Sequence, residues 1–225
     1  MKRALLPALA GAIAYAGALE SQWLYADRLI LRQGVTGRWL AEAAVRMAAD
    51  GPVWAARVQG IALHLFVAAL LHRAWARLRG ESADPREARW AALLFATLPL
   101  CSEAVVSLAG RGPQIATAAV LLALPIHADK PSTRGVISIV ALQIAGLLAD
   151  NCAIALAPLM LAYDSLLGPP RPTRHALTGP SVAVATTTVA LIALGGSAPL
   201  PSAMDALGAI PFLAESLSWA LVPHT

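Results

Sequence analysis

Residues 54–75 read WAARVQGIALHLFVAALLHRAW, a mostly apolar run with a tryptophan at each end. At 1.5 Å per residue a helix of this length is about 33 Å long, close to the roughly 30 Å hydrocarbon core of a bilayer. Tryptophan is enriched where membrane meets water. The run therefore predicts a transmembrane helix.

The composition extends this prediction to the whole chain. Hydrophobic residues make up 58% of the 225 residues, charged residues only 13%, and the mean hydropathy is +0.64. Soluble domains carry about 25% charged residues, so the composition excludes a soluble enzyme, and it is far too apolar for disorder. Two cysteines exclude a disulfide scaffold and a cysteine-based zinc site. The fold class predicted is all-α, a polytopic membrane protein.

About seven transmembrane helices are predicted within one membrane domain, residues 1–225. The run after Met1-Lys2-Arg3 suits a signal peptide or a first anchor, and the further spans favour the anchor. A basic loop is predicted at 73–89. The predicted spans are 4–19, 54–75, 90–109, 114–126, 136–149, 152–167 and 177–194.

Two further helices are predicted outside the spans. The outer loop 20–53 contains an amphipathic helix that lies in the membrane interface, with Trp39, Leu40, Ala43, Ala44 and Met47 on its apolar face. The tail 196–225 contains a second helix around 202–221. Eleven of the 17 lysines and arginines fall on the side of the N-terminus, which predicts a cytoplasmic N-terminus and a periplasmic tail. The expected location is a bacterial inner membrane, with membrane lipids and partner subunits as neighbours and no nucleic acid.

The ionisable residues that fall on the predicted outer side include Asp27, Glu103, Arg111 and Asp150. Charges near a membrane are costly and are usually paired or functional. One interpretation is ion pairs that cap helix ends, with Glu103–Arg111 across the turn between two spans. The other is an outward site in which Asp27 is the catalytic base and Glu103, Arg111 and Asp150 bind substrate, with Arg111 holding a phosphate.

Other polar residues suggest no metal centre. His64 and His72 lie eight residues apart on one helix and lack a third ligand at helical spacing, so no metal is expected there. Cys101 and Cys152 both fall near the outer face, where they could form a disulfide or serve as small packing residues.

Three segments resemble a known family in the same order along the chain. LPLCSEAV at 98–105, continuing to AGR at 109–111, is similar to the H-P-V-H-T-E-A-V…S-G-R stretch of the transmembrane-and-tetratricopeptide-repeat family. LLADNCAI at 147–154 resembles its L-L-S-K-E-x-A, and WLYADRLI at 23–30 resembles its F-V-Y-D-D loop. That family belongs to the GT-C-type glycosyltransferases related to protein O-mannosyltransferases.

The resemblance implies a GT-C-like fold and sugar transfer from a polyprenyl-phosphate donor on the outer face, often with a divalent metal. It places the base at Asp27 and matches Glu103 and Arg111 to the family's Glu and Arg. Other motif positions are replaced: Ala26 stands for the first acid, Leu98 and Cys101 for the histidines, and Asp150-Asn151 for Lys-Glu. We therefore expect a catalytically degenerate structural or accessory subunit of a membrane complex. The alternative is an active polyprenyl-phosphate-sugar-dependent, mannosyltransferase-like enzyme.

Overall fold

The computed structural model describes residues 5–20, 39–49, 51–80, 84–98, 105–129, 132–167 and 180–187, and every regular element among them is helical. These residues belong to one compact unit, Met1–Ala190. The α-helices are α1 (Leu5–Ala14), α2 (Trp39–Ala49), α3 (Val53–Leu78), α4 (Pro85–Thr97), α5 (Arg111–Ala128), α6 (Thr133–Ala149) and α7 (Leu156–Leu166). Short 3-10 helices cover Ala16–Glu20, Leu108–Gly110 and Asn151–Ala155, and residues 180–187 are helical. The all-α prediction is confirmed.

The connection between α3 and α4 differs from the predicted basic loop. The first helix continues to Leu78, and the next begins at Pro85 and ends at Thr97, not at 109. Asp84 accepts a hydrogen bond from the Arg86 backbone N–H, and proline at the first helical position supplies a preset φ angle. These capping residues start α4 at Pro85 despite the charged residues around it. Because α3 also continues to Leu78, most of the predicted loop is helical.

The helix α5 lies at the centre of the bundle. It packs against α3, α6 and α7, while α3 also contacts α1 and α4. Small residues allow the close approach of α6 to its neighbours: a Cβ at Gly146 would lie 2.8 Å from the Cβ of Ala153 and 3.4 Å from that of Ala119. Such small-residue contacts are how membrane helices bring their backbones together.

One of the described helices has the length and composition needed to cross a membrane. Among the described residues, α3 alone is long and apolar enough to do so. Shorter apolar helical segments cover Thr133–Ala149 and Asn151–Leu166.

The surface of the bundle is apolar along several helices. Large hydrophobic side chains are exposed on α1, α3, α4, α6 and α7: Leu6, Leu9, Ile13, Trp54, Val58, Phe66, Trp90, Leu94, Ile137, Ile144, Leu159 and Leu161.

Candidate functional site

The N-termini of α3 and α5 and the C-terminus of α6 meet at one end of the bundle, here named the arginine end. Arg111, the first residue of α5, is fully buried there. Its Nη2 donates to the carbonyl oxygen of Ala56 at 2.7 Å, and its Nη1 donates to that of Val105 at 3.2 Å. The guanidinium therefore ties the start of α5 to the first turn of α3 and to the segment that precedes α5.

A second buried arginine lies beside the first. Arg57 on α3 is also 0% exposed, and its Nη1 donates to the carbonyl oxygen of Val106. Arginine stays charged in proteins, so this end buries two positive charges among main-chain carbonyl dipoles. Arg57 was not among the site residues predicted from the sequence. The signal was present, since an arginine within a predicted span is unusual.

Gly60 gives the Arg111 guanidinium its space. A Cβ at this position would overlap both the guanidinium and the carbonyl oxygen of Val105. Gly112 has a similar role on the other side, where a Cβ would lie 2.6 Å from the carbonyl oxygen of Ala149. The arginine end is therefore assembled around two glycines.

The helix α2 packs on the arginine end through small apolar side chains. It contacts α3, α5 and α6, and it buries Ala41 and Val45, whereas Leu40 and Met47 are exposed. Leu40 and Met47 of the predicted apolar face therefore stay exposed, and Ala41 and Val45 make the contact with the bundle. Small side chains pack there because Gly112 permits close approach: its hypothetical Cβ would lie 3.3 Å from the Cβ of Ala41.

Asp150 lies at the same end, directly after α6. Its Oδ1 accepts a hydrogen bond from the Cys152 backbone N–H at 2.9 Å and caps the 3-10 helix Asn151–Ala155. The Cys152 thiol is 3.8 Å from the carbonyl oxygen of Pro113 in the first turn of α5. The structure therefore brings the Asp150 break and the Arg111 turn together, with both side chains bonded to the backbone.

The remaining predicted site residues, Asp27 and Glu103, lie outside the described residues, as does Cys101. The predicted Glu103–Arg111 pair and the disulfide stay predictions for this reason. Within the described part of the chain, no group of three or more His, Cys, Asp or Glu side chains is arranged to hold a metal ion.

His64 lies in an aromatic cluster in the middle of α3. Its buried ring stacks on Phe95 at a centroid distance of 4.8 Å and meets the edge of Tyr15 at 5.4 Å. The Tyr15 hydroxyl donates to the carbonyl oxygen of Leu98 at 2.9 Å. This cluster joins α1, α3 and α4, and its aromatic neighbours give His64 a packing role.

The opposite end of the bundle, here named the histidine end, contains a buried polar pair that the sequence analysis missed. Nε2 of His127 at the end of α5 lies 2.8 Å from Oδ2 of Asp164 near the end of α7, and the two side chains are 4% and 10% exposed. Their separation of 37 residues leaves no helical spacing by which sequence alone could pair them.

A third polar contact lies between the two ends. Nε2 of Gln143 on α6 donates to the carbonyl oxygen of Ala153 at 3.2 Å and to Oγ1 of Thr187 at 2.8 Å. Thr187 Oγ1 donates in turn to the carbonyl oxygen of Ala183. This chain of hydrogen bonds fastens the helical segment 180–187 to the core.

Several buried polar side chains are engaged in contacts within the bundle. Arg111, Asp150 and Gln143 bond to the backbone, and His127 bonds to Asp164. Comparisons of the chain with models of protein families, with curated proteins and with solved structures give no match.

Proposed function

We propose that this chain is a polytopic membrane protein with a degenerate GT-C-like fold that serves as a structural subunit of a membrane complex. The observation that carries the proposal is the position of Arg111, fully buried and bonded to the Ala56 and Val105 carbonyls over Gly60. A guanidinium held in this way ties helices together and does not face outward toward a phosphate.

The apolar exterior supports insertion of several helices in a bilayer. Soluble monomers rarely expose contiguous apolar patches beyond a few hundred Å². Here Leu6, Leu9 and Ile13 follow one another on the same face of α1, and α4 exposes Trp90 and Leu94. Helices shorter than α3 reach across the hydrocarbon by local thinning of the bilayer or in pairs joined by non-helical residues.

The replaced motif positions support a non-catalytic role. Ala26 stands where the family has an acid, and Asp150 stands where it has a lysine. Loss of a phosphate-binding cation costs an enzyme orders of magnitude in rate. Asp150 moreover caps a 3-10 helix, which is a structural task.

A partner subunit would bind most naturally at the outward face of α2. Met47 is 74% exposed and Leu40 is 38% exposed, although the helix is already packed on the bundle through Ala41 and Val45. An amphipathic helix that has one apolar face on its own protein and another facing out can hold a second protein or rest on the bilayer surface. We assign this face to the partner, on the predicted periplasmic side of an inner membrane.

Purification of the tagged full chain from its native membrane in mild detergent tests the proposal. We expect a stoichiometric partner that is identified by mass spectrometry and lost with Leu40→Glu/Met47→Glu. The matched control is Arg46→Gln, which changes an exposed residue of the same helix and leaves the partner bound.

A chain recovered alone, or with a polyprenyl-phosphate lipid and sugar-transfer activity that Asp27→Asn abolishes at unchanged abundance, overturns the structural role. Sugar-transfer activity that Asp27→Asn abolishes would establish the glycosyltransferase alternative. The requirement of that activity for a divalent metal would be tested next.

A further inference from the structure

One face of α4 combines cationic, aromatic and aliphatic side chains in sequence. Arg86, Arg89, Trp90 and Leu94 follow at the spacing i, i+3, i+4 and i+8, which places them on one side of a helix. Trp90 is 61% exposed and Leu94 is 62% exposed. This set is named the α4 face.

The two arginines of the α4 face differ from Arg77 and Arg79, which lie at the end of α3. Arg77 lies 3.4 Å from Asp129, and Arg79 lies 3.6 Å from Glu87. The side chains of Arg86 and Arg89 form no ion pair or hydrogen bond with a described residue. The α4 face therefore carries two positive charges that its described neighbours leave uncompensated.

Arg89 provides a further sign of a missing acceptor. Its side chain is half-buried, and its Nε atom is buried without a hydrogen-bond partner among the described residues. Buried polar groups in native proteins almost always have a partner, including ligands and ordered water. An anionic oxygen at this position would satisfy the Nε atom and neutralise the guanidinium.

We propose that the α4 face binds an anionic phospholipid, with the phosphate at Arg86 and Arg89 and an acyl chain along Trp90 and Leu94. This site rests on the proposed function, because it requires that the chain lies in a bilayer. The order of the residues fits the ligand: Arg86 and Leu94 are about 12 Å apart along the helix, so that cation, aromatic ring and aliphatic side chain follow the path from headgroup to hydrocarbon.

Charge complementarity favours a lipid over the other occupants. A free phosphate would use the arginines and leave the exposed Trp90 and Leu94 uncovered, whereas an apolar helix of a partner would leave the two charges uncompensated. A lipid with an anionic headgroup matches both halves of the face, and arginines next to a membrane surface attract anionic lipids.

The test uses the full chain in bilayers that contain equal amounts of phosphatidylglycerol and phosphatidylcholine, followed by native mass spectrometry of the bound lipids. We expect the wild-type chain to retain phosphatidylglycerol preferentially, and Arg86→Gln/Arg89→Gln to lower that preference roughly tenfold. The control with the same loss of charge is Arg73→Gln/Arg134→Gln, which removes two exposed arginines from the histidine end outside the α4 face.

Equal losses in the two double variants would overturn the specific site and leave only a general attraction of basic residues to anionic lipid. A wild-type chain without any preference for phosphatidylglycerol would overturn it as well. Carbonate extraction from vesicles of phosphatidylcholine alone tests membrane insertion separately from lipid binding. A chain that carbonate removes from these vesicles contradicts both the proposed membrane protein and the lipid site. A chain that stays inserted, but shows no preference for phosphatidylglycerol in the mixed bilayers, contradicts only the lipid site.

Discussion

Gly60 on α3 lies directly against the guanidinium of Arg111 on α5, and a single added carbon at Gly60 would overlap it. The same carbon would overlap the carbonyl oxygen of Val105, which accepts a hydrogen bond from that guanidinium. The spacing of α3 and α5 at the arginine end therefore depends on two residues. Gly60 has no side chain, and Arg111 has a long side chain that ends in a guanidinium. This relationship supports a structural role for Arg111.

Gly60→Ala should destabilise the chain by about 1–3 kcal/mol, since overpacking displaces well-packed neighbours and here one of them is backbone. The measurement is the midpoint of thermal unfolding in detergent. Gly17→Ala is the control, because a Cβ at Gly17 meets nothing within 4 Å. Equal midpoints for the two variants would show that α3 and α5 do not approach as closely as described.

Arg111→Lys should also destabilise the chain, by about 1–3 kcal/mol. Lysine keeps the charge, but its single ammonium cannot reproduce the fork that donates to the Ala56 and Val105 carbonyls, and buried acceptors left without donors are costly. Arg46→Lys is the control, since Arg46 lies on the surface, where an i,i+4 ion pair contributes about 0.3–0.5 kcal/mol.

Arg111→Lys also distinguishes a structural role of Arg111 from a role in substrate binding. A structural Arg111 predicts that the loss of partner binding in Arg111→Lys follows the loss of folded protein. Unchanged stability together with lost sugar-transfer activity would assign Arg111 to substrate.

Hydropathy and the spacing of apolar residues allowed much of the helical architecture to be predicted. The break at Asp150 was placed from polar residues within apolar sequence, and the helix around residue 40 was placed from apolar residues at helical spacing within a polar stretch. Both are present. The start of α4 was missed because Asp84 and Pro85 were counted as loop residues, although together they form a helix N-terminus.

The polar contacts were harder to predict because they depend on tertiary packing. Arg111 was selected as a charged residue at a turn, but it also donates to the main-chain carbonyls of Ala56 and Val105, and every residue offers a carbonyl. Leu40 and Met47 were assigned to the apolar face of a helix at the membrane interface, whereas the close contact of Ala41 with the glycine at 112 was not predicted. Pattern alone carries no information on such close approaches.

The pair His127–Asp164 should couple strongly in a double-mutant cycle. Asp164→Leu leaves the buried imidazole without its 2.8 Å partner, and removing one member of a buried pair costs about 3–5 kcal/mol. Replacement of both residues should cost less than the sum of the single changes, and the unfolding midpoints of the four chains measure the difference.

The cycle for Arg77–Asp129 is the matched comparison, since this pair also lies at the histidine end. Its side chains are 52% and 64% exposed and 3.4 Å apart, so its coupling should be about 0–1 kcal/mol. A coupling for His127–Asp164 no larger than that of Arg77–Asp129 would contradict the buried pair.

Thr187→Val tests the hydrogen bonds that fasten residues 180–187 to the core. Valine keeps the shape of threonine but removes the oxygen that accepts from Gln143 Nε2 and donates to the Ala183 carbonyl. Interhelical hydrogen bonds in membrane proteins contribute on average about 0.6 kcal/mol, with a maximum near 1.7, so we expect a loss in that range. Thr186→Val is the adjacent control, because no side-chain hydrogen bond joins Thr186 to a described residue.

The discriminating measurement is hydrogen exchange of the amides at 183–187, which should accelerate in Thr187→Val and stay unchanged in Thr186→Val. Equal exchange in both variants would mean that apolar packing of Ala183, and not the hydroxyl of Thr187, holds this segment to α6.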